Sequence, residues 1–195
     1  MTRFFLGLDL GQRADHSALA VLERAEIPTG EFDHAHWRPF SRLTLSLRLL
    51  RRWPLGVPYL DIARWSLDTV RELSARAPVT FALDASGPGA PLCEIFRTNR
   101  PPALLQPVII TSGHRSSTAS DSTHLVPRDT LFAQLRLALE NRDLIVSPQL
   151  PFAQNLCAEL TAYGRNGGEH DDLAVAVALA LDSALRATRA LRRLT

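Results

Sequence analysis

Apolar positions in this chain fall into short continuous runs, runs with period two and runs spaced by three and four, and each kind predicts a different element. Residues 4–10 are apolar, rich in aromatics and stopped by Gly11, which predicts a strand. A polar turn at 11–16 leads into apolar residues 17–22, so the chain should open with a hairpin. Residues 27–46 are mixed and broken by Pro28, Gly30 and Pro39, with a third strand expected around 42–47. Beyond the Pro54 to Pro58 punctuation, Leu60, Ala63, Leu67, Val70 and Leu73 recur at helical spacing, so 59–77 predicts an amphipathic helix stopped by Pro78. Residues 79–85 read as a buried strand, 91–99 as a helix after a Ser-Gly-Pro-Gly turn, and 104–111 as a further strand. From 112 to 124 the composition collapses to Ser, Thr, His, Arg and Asp, the signature of a mobile loop. A helix at 127–141, a short strand at 144–147, a helix at 152–163 and a loop at 164–170 follow.

The last segment, LAVAVALAL, alternates perfectly and on period alone would be a strand. Its alanine content, its unbroken run to residue 194 and the two aspartates at its start favour one long helix, buried early and amphipathic late. The element order is that of an α/β fold: a mixed sheet with antiparallel opening strands and parallel additions, flanked by helices. No repeat or long linker divides the chain, so residues 1–195 are expected to form a single domain.

Composition sharpens this. A chain of 195 residues, 46% hydrophobic and 22% charged, can bury one good core. All 22 basic residues are arginine, and the absence of lysine excludes a phosphate-binding G-x-x-x-x-G-K-[ST] loop, a Schiff base and a Ser-Lys dyad. Phosphate would have to be met by arginine, backbone amides or metal. The first ten residues lack a long apolar core and a cleavage site, so no signal peptide is expected. The longest apolar run, 173–181, is bounded by Asp172 and Asp182 and is too short to span a membrane. Cys93 and Cys157 are far apart and unpaired in pattern, which suggests a reducing cytoplasm and two thiols packed as small hydrophobes.

Aspartates occupy positions where a carboxylate should be uncomfortable. Asp9 ends an apolar strand on the face of Phe5 and Gly7, Asp84 ends another just before a glycine-rich turn, and Asp171 and Asp172 open a helix whose next nine residues are apolar. Strand carboxyl ends and a helix start can converge on one cleft of an α/β sheet. Carboxylates gathered there repel one another unless a cation is present, and hard oxygen ligands favour Mg²⁺ or Mn²⁺. Two such ions about 4 Å apart serve in-line phosphodiester hydrolysis, one activating water and the other stabilising the leaving oxygen. Each aspartate also has an ordinary reading: helix capping for the Asp171 and Asp172 pair, and Asx turns for Asp9 and Asp84.

Taken in order, FLGLDLGQRADHSALAVL, VTFALDASGPGAPLCEIF, ITSG, VPRDTLFAQLRLALENRDLIV, LPFAQNLCAELTAYG and HDDLAVAVALAL resemble the nuclease domain of phage terminase large subunits. The resemblance covers about residues 4–181, and its most specific part is the closing H-D-D-L helix with the preceding E-L. It implies an RNase H-like fold and a two-metal endonuclease (Mg²⁺ or Mn²⁺) acting on double-stranded DNA, in phage packaging or related processing. It also implies a bacterial host cytoplasm, a phage or prophage origin, and a separate ATPase or packaging partner. Asp9 and Asp84 match the family's first two metal ligands, and Asp171 and Asp172 its closing pair; Asp15 matches an additional acidic position. The family's packaging motor carries an ATPase domain with a Walker lysine, which this chain lacks.

Arg186, Arg189 and Arg193 form a helical stripe and Arg115 lies in the polar loop; all four are candidate nucleic-acid contacts, against a plain reading as solvated side chains. Arg48, Arg51 and Arg52 cluster before Trp53. His16, His114, His124 and His170 are weighed as general bases and none is assigned. Two rival functions stand beside the nuclease: a catalytically silent module that binds DNA or a partner, and an ATPase of the actin-like or sugar-kinase type, whose phosphate loops GLDLG and DASGPG resemble but whose two lobes 195 residues cannot supply.

Overall fold

A computed structural model describes residues 2–11, 15–35, 37–166 and 171–192. The chain runs β1 (Arg3–Asp9), β2 (Ala18–Asp33), β3 (Arg38–Arg52), α1 (Tyr59–Ser74), β4 (Val79–Asp84), α2 (Gly89–Asn99), β5 (Leu104–Thr111), β6 (Ser117–Thr118), β7 (His124–Pro127), α3 (Arg128–Glu140), β8 (Leu144–Val146), α4 (Ala153–Asn166) and α5 (Asp172–Arg192). One mixed sheet holds all eight strands in the order β6-β7-β5-β4-β1-β2-β3-β8. β1 pairs antiparallel with β2 and parallel with β4, and β5, β7 and β8 are parallel additions.

Alternation along β1 divides the core. Phe4, Leu6 and Leu8 face one side, where α1 and α2 pack with Trp53, Phe81 and Phe96. Phe5, with Ala82 of β4, faces the other, beneath α5 and its neighbours. Alanine wins the last segment for the helix: residues 172–184 of α5 are buried without a break, so the helix needs small apolar residues all round rather than on one stripe. Gly7 sets how closely α5 approaches the sheet, because a Cβ there would run into the Ala176 carbonyl and stand 2.7 Å from the Ala180 nitrogen.

Several expectations need correction. The opening hairpin forms between β1 and β2 as expected, but the mixed segment after it is a long ribbon: β2 and β3 continue to Asp33 and Arg38, past the breakers, with register shifts between Val21 and Leu22 and between Pro28 and Phe32 that absorb Pro28 and Gly30 as irregularities. The polar segment 112–124 contains strand β6 and meets β7 at His124; β6 and β7 pair antiparallel, and Asp121 turns the ribbon by accepting the Thr123 N–H at 3.0 Å. Leu60 is exposed; α1 buries Ala63, Leu67 and Val70 as expected, and the stripe widens to Ile62 and Ser66 rather than to Leu60. Cys93 is buried as expected but Cys157 is exposed. No helix among the described residues is long and apolar enough to cross a membrane.

Candidate active site

β1 and β4 are adjacent and parallel, and their last pairs are Gly7 with Ala82 and Leu8 with Leu83. The next residues in that register are Asp9 and Asp84, which therefore end their strands side by side, about one interstrand spacing of ~4.8 Å apart and on the α5 face. On α5, Asp172 lies one turn before Ala176, which with Ala180 covers Gly7. Two residues of strand advance about 6.6 Å and four of helix about 6 Å, so the packing that seats Ala176 on Gly7 carries Asp172 towards Asp9.

A cleft of about 370 Å³ opens at this edge, lined by Asp9, Asp84, Ser86, Thr111, Arg128 and Asp171, among others. The Asp9 carboxyl is held well above the usual carboxylate range, first by burial and then by the charges of Asp84 and Asp172, with Arg128 pulling the other way. Burial also raises Asp84, although the Ser86 N–H donates to its Oδ1 at 2.9 Å. Asp84 thus does make the Asx turn of its ordinary reading while still lining the cleft.

Asp171 and Asp172 part company. Asp171 lines the cleft and pairs with Arg128, the first residue of α3. Asp172 is buried; its Oδ2 stands 2.9 Å from an Arg52 nitrogen yet has no hydrogen-bond partner among the described residues. The capping role expected of this pair falls partly to a residue that the sequence reading left without a role. Glu159 of α4 accepts the Ala174 N–H at 2.9 Å through Oε2 and pairs with Arg52 through Oε1. Its signal was the E-L before the closing helix, visible only as part of the resemblance.

The donors fit a hard divalent cation: all are carboxylate oxygens, Asp9 is destabilised by its like-charged neighbours, and Asp172 keeps a buried oxygen without a hydrogen bond. Arginine meets this charge instead, and among the described residues no group of three or more His, Cys, Asp or Glu side chains stands in a metal-holding arrangement. Asp15 is exposed and lies outside the cleft lining, although its charge adds to the field on Asp9.

The candidate nucleic-acid contacts separate as well. Arg115 is exposed. Arg186 is turned inward, paired with Asp182 and donating to Gln106 at 3.1 Å, which makes it a brace between α5 and β5. The Arg189 side chain and Arg193 lie outside the described residues, as does His170. His16 meets the Trp53 carbonyl at 2.9 Å, and His124 meets Thr118 at 3.1 Å. β3 runs parallel to β1 and so ends at the same sheet edge as the cleft. There Arg48, Arg51, Arg52, Trp65, Leu150 and Phe152 line a groove of about 480 Å³, with the Arg51 guanidinium 4.3 Å over the Trp65 ring.

No family model matches the chain, and no curated protein matches it in sequence. Two solved structures match in fold. The large terminase nuclease of thermophilic phage G20c, with bound zinc, shares 20% identity at a TM-score of 0.53 over 93% of this chain and 81% of that one. The terminase nuclease domain of human cytomegalovirus, soaked with manganese and with an inhibitor bound, shares 14% identity at a TM-score of 0.58 over 93% and 82%. The chain therefore has the RNase H-like fold of terminase nucleases.

Proposed function

We propose that this protein is a divalent-metal-dependent endonuclease that hydrolyses double-stranded DNA, with Asp9, Asp84, Asp171 and Asp172 as its site carboxylates and Mg²⁺ or Mn²⁺ as its cations. The observation that carries this reading is the register of β1 and β4, which delivers Asp9 and Asp84 as neighbours into a cleft closed by Asp171, on a terminase-nuclease fold. Two divalent cations, when bound, neutralise the phosphate and lower the cost of forming the attacking hydroxide. The chain's own residues hold the carboxylates ready. Burial keeps Asp9 and Asp84 hungry for positive charge, with the charges of Asp84 and Asp172 adding to it at Asp9, and Arg52 with Glu159 anchors the start of α5. The arginine groove at the end of β3 lies along the same edge and suits a phosphate backbone leaving the cleft.

We read residues 1–195 as one nuclease module that works in a host cytoplasm. A test is incubation of supercoiled plasmid with purified protein. Nicking or linearisation is expected with Mn²⁺ or Mg²⁺, none in excess chelator, and none from Asp84→Asn. Cleavage that survives chelation, or that Asp84→Asn performs at the wild-type rate, overturns the reading. The pairing of Asp171 and Asp172 with arginines favours a second reading, a silent module that binds DNA or a packaging partner. DNA binding without cleavage under any divalent cation would select it.

A further inference from the structure

Arg128 occupies a position that local helix energetics disfavour. It is the first residue of α3, where a positive charge opposes the helix dipole, and its neighbour Asp129 is what that end would favour. It is nevertheless turned into the acidic cleft, where it pairs with Asp171 and its field reaches both Asp9 and Asp84. Its guanidinium also lies 5.1 Å from the Phe132 ring centre and 5.9 Å from that of Tyr163, two rings stacked 3.7 Å apart. Arg52, the other arginine of the site, has no such freedom: it is held by two carboxylates and its side chain is 16% exposed, against 41% for Arg128.

Resting on the nuclease reading above, we propose that Arg128 is a built-in, displaceable counterion of the cleft, which competes with the divalent cation for Asp171. Without metal it partly neutralises three carboxylates that would otherwise repel one another. When the cation enters, the guanidinium leaves Asp171 and stays over the Phe132 and Tyr163 rings, where cation–π attraction offsets part of the lost ion pair. The device sets metal affinity and couples the start of α3 to the state of the site.

The test is Mn²⁺ titration of the full chain, followed by the electron paramagnetic resonance of free Mn²⁺, with Arg128→Gln, Arg128→Lys and Asp84→Asn beside the wild type. Removing one positive charge next to a divalent ion should tighten binding on the order of tenfold in Arg128→Gln. Arg128→Lys keeps the charge and should stay within about threefold of wild type. Because substitution could perturb folding, the wild type carries its own readout: the guanidinium Nε–H resonance of Arg128 should move on saturation with Mg²⁺. Equal or weaker binding by Arg128→Gln, or an unmoved resonance in a protein that binds metal, overturns the proposal and leaves the nuclease reading standing. If neither wild type nor Arg128→Gln binds Mn²⁺, or if Asp84→Asn binds it as wild type does, the nuclease reading itself fails and this proposal with it.

Discussion

Asp9 shows how a residue can cost stability and still be required. Its carboxyl is pushed up by burial and by its acidic neighbours, so in the metal-free protein its ionised form is the disfavoured one. A group raised in the folded state stabilises below its unfolded value and loses that contribution as pH rises through its folded value; Asp9 and Asp84 therefore weaken the metal-free protein as pH climbs out of the acid range. Two outcomes follow. Asp9→Asn should raise the melting temperature of the metal-free protein at neutral pH, by about 2–4 °C for each kcal/mol recovered, while abolishing plasmid cleavage. Divalent cations should bind more tightly as pH rises, because they select the ionised carboxylates. A lower melting point for Asp9→Asn in calorimetry, or pH-independent Mn²⁺ affinity, would count against this electrostatic account. Asp9, Asp84, Asp171 and Asp172 were legible as uncomfortable carboxylates in apolar surroundings. Glu159 and Arg128 were not, because each sits in an ordinary amphipathic helix and acquires its role only when α4 and α3 pack beside α5.

Among the elements, α5 carries the site because its small residues let it lie directly on β1. Gly7→Val would place a branched side chain against the Ala176 carbonyl and should cost about 1–3 kcal/mol in chemical denaturation. Lifting α5 moves Asp171 and Asp172 with it, so activity should fall by more than the unfolded fraction explains. Glu159→Ala removes a cap of α5 and one partner of a buried ion pair; a loss of about 3–5 kcal/mol is expected in the same measurement. The helical nature of α5 was readable from alanine propensity despite its perfect alternation. The ribbon of β2 and β3 was not, because Pro28, Gly30 and Pro39 read locally as stops, and only pairing across two strands, with shifts of register, carries the ribbon past them.

At the scale of the whole molecule, one sheet edge gathers everything the proposed chemistry needs. The parallel orientation of β1, β3, β4 and β5 brings their carboxyl ends to that edge, with the acidic cleft at β1 and β4 and the arginine groove at β3. Negative charge for cations and positive charge for a phosphate backbone are thus set apart along a line. Arg48→Ala with Arg51→Ala should weaken DNA binding and lower the salt slope of the binding constant by up to about 2, with metal affinity unchanged. The most direct measurement is anomalous diffraction from crystals soaked in Mn²⁺. The account predicts Mn²⁺ in the cleft, within bonding distance of Asp9, Asp84 and at least one of Asp171 and Asp172. A saturated soak that leaves the cleft without metal, or places the ions elsewhere on the protein, would contradict it.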